Sequence, residues 1–341
     1  MYRSWFHATP WVLLAAALGG CSQQETVVVY TSVDQVFAEA ICDDFERETG
    51  IRVELVPDTE ETKGTGLHNR LIEEKNRPRA DVFWSGDPVR AASLKADGVS
   101  AAYKSPAAEG LPEALSDADG HWTCFSARAR VIIYNTDQVP EDRKPTSILD
   151  LADKRFKGRA CIANPLFGTT SMHAAALFSV WGEEKATAFF QSLVDNDVAI
   201  LGSNGDVKAA VAAGYYDIGL TDTDDVHVAM QDGKHVDFVY ADADGAGTLV
   251  MPNAVVLIAG GPHPETARKF IDYLVRRQTE EALARGEAAQ MPLRADAALP
   301  DGFRFKRVSE IHAMPVDYAE LAIVQKKLLG DFLKQWVDEN K

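Results

Sequence analysis

The sequence predicts an α/β protein of two lobes, each built on a mixed, mainly parallel sheet. Three observations carry that expectation. Strand-like and helix-like segments alternate from residue 26 onward, the alternation breaks off and restarts once, and two apolar strands run longer than the rest. A chain of 341 residues that is 46% hydrophobic can bury two cores.

The first segment reads MYRSWFHATPWVLLAAALGGC: one Arg, an apolar run from Trp11 to Leu18, then small residues before Cys21. The run is short for a bilayer span and fits a signal peptide over residues 1–20. Leu18-Gly19-Gly20-Cys21 resembles the lipobox of bacterial lipoproteins, which implies lipidation at Cys21 and an anchored linker over residues 21–26. The alternative is an ordinary signal peptide with an incidental Cys. Either way the chain is exported, to the periplasm or the cell surface.

TVVVYTS (26–32) is a β-branched strand, followed by an amphipathic helix from Asp34 to Glu48 that Gly50 stops. IRVELVPD is a second strand and LHNRLIEEKNR a second helix. In ADVFWSGDP a strand ends at Asp87, an N-cap, with Pro88 at the first helical position. This alternation calls for a parallel sheet with helices on both faces.

The pattern then restarts. FSARARVIIYNT (125–136) is a long strand, RACIANP a strand, TTSMHAAALFSVWG a helix. VAILGSN leads to a helix near Val207–Ala213, and YDIGLTD to one beginning near Thr223. VDFVYAD and TLVMPNAVVLIAG are strands, and PETARKFIDYLVRRQTEEALARG is one long helix. The two long strands are natural crossings between the lobes. They place residues 27–128 and 252–300 in lobe 1, and residues 129–251 and 301–341 in lobe 2. Two lobes on a hinge enclose a cleft.

With 35 basic and 51 acidic residues the formal net charge is −16, and no basic block exists to neutralise phosphates, which excludes nucleic acid as a partner. Cys42, Cys124 and Cys161 have no metal-motif spacing. Export to an oxidising compartment makes a Cys124–Cys161 pair an expectation. Cys42 sits in a helical pattern and reads as a small buried residue.

In open α/β sheets ligands bind beyond the carboxyl ends of the strands. Here those ends are Tyr30–Asp34, Asp58–Gly66, Trp84–Asp87, Phe167–Ser171, Gly202–Gly205 and Thr221–Asp225. Each precedes a helix N-terminus, whose free N–H groups favour anions. Capping explains each segment alone; six of them around one cleft point to a polar site. No GxSxG, HExxH, P-loop or zinc-spaced Cys pair occurs. His68, His173 and His227 lack partners at i+3 or i+4 and read as packing or surface residues. An enzyme is the weaker reading.

GYYDIGLTDTDD (214–225) holds two candidate clusters. Tyr215 and Tyr216 lie at the amino end of their strand, on the order of 15 Å from the cleft end, and read as strand-entry packing residues. Asp222, Asp224 and Asp225 lie at the cleft end.

VVVYTSVDQVFAEAICDDFERETGIRVELV, PRADVFWSGDP, WTCFSARARVIIYNT, GRACIANPLFGTT and the block from Gly214 through PLRAD together resemble the periplasmic ferric-iron-type solute-binding proteins of ABC importers. The resemblance spans roughly residues 27–300. It implies a type II, Venus-flytrap fold that closes on a ligand and delivers it to an inner-membrane permease and its ATPase. A monomer is expected, held to the membrane only through its lipid. No cofactor is required; iron(III) or an iron complex is the favoured ligand, as cargo, with a small synergistic anion beside it.

The family's adjacent iron-binding tyrosines fall at the positions of Asp224 and Asp225 here. Its first-strand His falls at Asp34. Its Glu falls at Gly86, followed by Asp87. The resemblance therefore makes Asp34, Asp87, Asp224 and Asp225 the metal candidates, since carboxylates are hard ligands. Tyr30, Ser32, Thr65, Trp84, Ser85, Arg128, Thr169, Thr170, Asn204 and Asp222 are the other ligand candidates. Tyr30 and Trp84 would be aromatic walls, and the loop Gly168–Ser171 with Asn204 would hold the anion. The same residues suit a phosphorylated or a cationic organic solute. A sensor feeding a receptor, and an enzyme on the same scaffold, remain as other classes.

Overall fold

The computed structural model describes residues 1, 24–58 and 65–340. The expected signal peptide, its lipobox and Cys21 lie outside the described residues. No helix among the described residues is long and apolar enough to cross a membrane.

Lobe 1 opens with β1 (Thr26–Thr31), α1 (Gln35–Thr49), β2 (Arg52–Pro57), α2 (Gly66–Glu73), β3 (Val82–Ser85), α3 (Pro88–Ala96) and the two-residue β4 (Ser100–Ala101). β1 pairs in parallel with both β2 and β3. α1 ends where the sequence says it should. Gly50 takes the left-handed conformation at φ 73° and returns its N–H to the Glu46 carbonyl. α3 starts at Pro88, with the Asp87 carboxylate accepting from the Val89 N–H at 2.8 Å.

β5 (Thr123–Asn135) then crosses to lobe 2. There follow β6 (Ala160–Ala163), α4 (Gly168–Trp181), α5 (Glu183–Asp195), β7 (Ala199–Leu201), α6 (Asn204–Ala212), β8 (Ile218–Asp222), α7 (Thr223–Gln231) and β9 (Val236–Val239). β10 (Val250–Ile258) returns to lobe 1, followed by α8 (Pro264–Leu274) and α9 (Arg277–Arg285). The chain closes with α10 (Tyr318–Gly330) and α11 (Phe332–Asn340).

The strands run in the order β2-β1-β3-β10-β5-β8-β6-β7, with β4 beside β10 and β9 beside β5. β5 makes the crossing. Its residues Thr123–Ala129 pair with β10, and from Arg130 onward it pairs with β8. Near the crossing the β5–β10 ladder shifts register between Pro252 and Asn253. Pro252 has no N–H to donate, and Ser126 opposite adopts a positive φ of 39°. The Ser126 N–H donates instead to the buried Glu280 carboxylate at 2.6 Å, which also accepts from the Leu293 and Arg294 N–H groups.

Lobe 1 has one core, in which Phe45 meets Phe270 edge-on at 5.0 Å. Lobe 2 has a core on each face of its sheet: a large one under α4 and α5, and a small one under α6 and α7. Gly219 is needed for the second, because a Cβ there would sit 2.6 Å from Val207 on α6. Phe305 and Ile311 return to the lobe 1 core, whereas Leu321, Leu328, Leu333 and Trp336 of the last two helices join the large core of lobe 2.

Three expectations need correction. The segment 264–286 is two helices, not one: Arg276 is extended at ψ 156° between them, its guanidinium stacked on Tyr273 at 3.7 Å and paired with Glu48 at 2.6 Å. Cys124 and Cys161 are free thiols, each fully buried, the first paired to β10 in lobe 1 and the second to β8 in lobe 2, so no disulfide joins them. Tyr215 is not a packing residue. It is 72% exposed, and only Tyr216 reaches the small core of lobe 2.

Candidate functional site

Between the lobes lies a cavity of about 430 Å³. Lobe 1 contributes Ser32, Asp34, Phe37, Gly86, Asp87 and Arg90. Lobe 2 contributes Phe167–Thr170, Gly202–Gly205, Lys208, Asp222, Asp224 and Asp225. Arg128 and Asn253 reach it from the crossing strands. The N-termini of α3, α4, α6 and α7 all face this space, as strand ends in an open α/β sheet dictate.

At the root of the lobe 2 wall is Arg130, whose side chain is fully buried. Its Nη1 donates to Asp222 at 2.6 Å, to Thr169 Oγ1 at 3.1 Å and to Asn204 Oδ1 at 3.1 Å. Its Nη2 donates to Thr170 Oγ1 at 3.2 Å. Thr169 Oγ1 donates in turn to Asp222 at 2.9 Å, and Asn204 Nδ2 donates to Thr169 at 2.8 Å. One guanidinium thus fixes the side chains of β8, α4 and α6.

Arg128, two residues earlier on the same face of β5, spans the cleft. Its Nη2 donates to the Gly86 carbonyl of lobe 1 at 2.7 Å and its Nη1 to Asp224 of lobe 2 at 3.3 Å. Gly86 lets it come this close, since a Cβ there would stand 3.1 Å from Nη2. Burial works against the charge of Arg128, but Asp224, Asp222 and Asp34 outweigh it and hold its pKa above the ordinary arginine value.

Carboxylate atoms of Asp222, Asp224 and Asp225 lie within 4.8 Å of one another. Crowding like charges in a buried place favours protonation. Burial first, then Asp224 and Asp222, push Asp225 up to about 7. Thr221 Oγ1 donates to it at 2.7 Å and Lys208 stands 3.7 Å away. Burial also raises Asp224, against the opposing pull of Arg128.

All four metal candidates line the cavity, but they do not form one cluster. Asp224 and Asp225 group with Asp222; Asp87 caps α3 and lies 3.8 Å from Arg90, and Asp34 stands outside the trio. Ser32, Arg128, Thr169, Thr170, Asn204 and Asp222 also line it. Four ligand candidates do not. Tyr30 is 1% exposed and donates its hydroxyl to Glu74 at 3.1 Å under the Arg70 guanidinium. Trp84 is fully buried against Phe125. Both sit within central strands covered on both faces, so their rings fill the lobe 1 core and do not wall the cleft. Ser85 turns inward to hold the Asp87 backbone, and Thr65 accepts from Arg90 outside the cavity.

Sequence reasoning missed Arg130, Lys208 and Phe37, and placed Phe167 in a cleft-end segment without giving it a role. Arg130 had a signal. SARAR puts two arginines at period 2 inside an apolar strand, and a charge there requires a buried partner. Asp222 was in plain view as that partner.

A family profile described as bacterial extracellular solute-binding protein matches residues 40–307. The chain belongs to that family. It is a solute-binding protein and not an enzyme. It is 27% identical over 300 residues to a major ferric iron-binding protein of Neisseria meningitidis, covering 83% of this chain and 86% of the relative. The fold matches iron-bound HitA from Pseudomonas aeruginosa with a TM-score of 0.80 at 22% identity, covering 90% of this chain and 99% of that one. It also matches AfuA from Actinobacillus pleuropneumoniae, whose structure holds fructose-6-phosphate, with a TM-score of 0.78 at 22% identity over 94% and 99% of the two chains. This solute-binding protein therefore shares one two-lobed, Venus-flytrap scaffold with an iron-bound and a sugar-phosphate-bound protein.

Proposed function

We propose that this protein is the extracytoplasmic component of an ABC importer, anchored by a lipid at Cys21 after signal-peptide removal, and that its cargo is a small phosphorylated organic solute. It closes its lobes on the solute and hands it to a permease served by an ATPase. One observation carries the reading of the cargo: the positive ends of α4, α6 and α7 open on one cavity with Arg128 and Lys208, while the nearby acids already have partners. Asp222 is paired with Arg130, Asp224 with Arg128, and Asp87 caps α3. Acids so paired hold the cationic side chains in place and leave the first N–H groups of α4 to the phosphoryl oxygens, while at α7 the Asp225 N–H donates to Asp224 at 3.1 Å. Asp225 would accept from a hydroxyl or ammonium group of the same solute.

Iron(III) is the second reading. The Asp222–Asp224–Asp225 trio, within 4.8 Å, favours it, as does the name of the Neisseria relative. Two guanidiniums on that trio oppose it, because a trivalent cation must displace them. Titrating the purified mature protein separately with fructose 6-phosphate and with ferric citrate decides between them. Saturable stoichiometric binding of ferric citrate without binding of the sugar phosphate would sink the phosphorylated-solute reading.

A further inference from the structure

Among the described residues, the aromatic ones that line the cavity are Phe37 and Phe167. They come from opposite lobes: Phe37 from the first turn of α1, Phe167 from the loop that enters α4. Phe167 is 53% exposed, leaving a large apolar ring open to the cavity. Phe37 is half-buried, its inner side against the lobe 1 core. Neither ring serves the polar network of Arg128 and Arg130, and the Phe167 side chain does not cap α4. A bare ion or free phosphate offers these rings nothing to cover. An organic body between the lobes does.

We propose that Phe37 and Phe167 form an aromatic clamp that determines specificity, selecting solutes whose body presents an apolar or ring face while the anionic end lies among the helix N-termini. The inference rests on the phosphorylated-solute reading and adds the class of body that the phosphoryl group carries. Lobe closure brings the two rings toward the solute from opposite sides, removing apolar area of both from water. Ring contacts of this kind differ among solutes that share one head group, so the clamp discriminates where the charged groups cannot.

Isothermal titration of the mature protein with inorganic phosphate, glycerol 3-phosphate and phenyl phosphate tests it. Phenyl phosphate is expected to bind about tenfold more tightly than glycerol 3-phosphate. Phe167→Ala should cost phenyl phosphate about tenfold and the other two less than about twofold. Phe167 is exposed enough that its truncation spares the core; Phe37→Leu, which keeps the inner packing, should reduce the same preference. Equal affinities for the two esters, or a preference unchanged in both variants, overturn the clamp and leave the phosphorylated-solute reading standing. Failure of all three phosphates to bind overturns both.

Discussion

The lobe 2 wall of the cleft is tied together around a buried guanidinium, whereas the lobe 1 wall is held mainly by bonds of Ser32, Ser85 and Asp87 to neighbouring backbone. Around Arg130, the buried Asp222, Thr169 and Thr170 and the half-buried Asn204 hold one another through hydrogen bonds. Across the gap, lobe 1 offers a helix cap at Asp87, a half-buried Phe37 and a carbonyl at Gly86, with Tyr30 and Trp84 withdrawn into the core behind them. The first wall is organised by charge-assisted bonds around Arg130. Preorganised donors lose less entropy on binding, so lobe 2 should set affinity for the polar end.

The largest effect expected from breaking this contrast is at Arg130. Arg130→Met leaves the buried Asp222 with only Arg128, 3.7 Å away, and should cost about 3–5 kcal/mol in urea unfolding. Adding Asp222→Leu removes the stranded charge and should restore much of that loss. A double variant no more stable than the single one would mean that the guanidinium acts through packing and not through the pair.

Next is Asp225. Its folded pKa of about 7 lies above the ordinary carboxylate value of about 3.9. Between those values the folded protein keeps a proton that the unfolded chain has released. Its contribution to stability therefore falls as pH rises from about 4 to about 7, by at most about 1.4 kcal/mol per pH unit, and is level above that. Asp225→Asn should be more stable than the parent at pH 8, with the gap closing toward pH 5; a constant gap in thermal unfolding denies the shift. The same proton sharpens the choice of cargo. Corrected for ligand ionisation, phosphate-ester affinity should fall as pH rises through about 7, and iron affinity should rise.

A smaller effect belongs to the lobe 1 wall. Asp87→Ala removes the α3 cap and should cost about 1 kcal/mol, measurable in urea, with little change in phosphate affinity. A large loss of affinity there would make lobe 1 a partner in polar recognition. Smallest is Tyr30→Phe, which deletes a hydroxyl bonded to Glu74 and should cost about 1 kcal/mol or less. Solute affinity should not move, because the ring lies behind the wall.

Much of this fold is legible from local rules. Gly50 stops α1, Asp87 and Pro88 start α3, and the period of β-branched runs marks β1, β5 and β10. Local rules failed at 264–286, where helix-forming residues run on without interruption, yet Arg276 leaves the helix to meet Glu48, a partner 228 residues away in sequence. They failed also for α5, α10 and α11, which went unassigned. Within the site, the strand-end rule found the loops correctly but not which side chains turn toward the cleft. Ser32 and Ser85 show the limit: both end strands beside one another, and only the first lines the cavity.

The sequence by itself determined the alternating α/β pattern, the two crossing strands and the strand ends where polar residues gather, because periodicity, caps and glycine stops act within a few residues. Only the tertiary structure decided which of those residues act together. Arg130 and Asp222 lie 92 residues apart in the chain and 2.6 Å apart in the fold. A buried charge must find its partner wherever packing puts one. That pairing makes Asp222, a ligand candidate by sequence, part of the buried frame behind a cleft lined by helix N-termini.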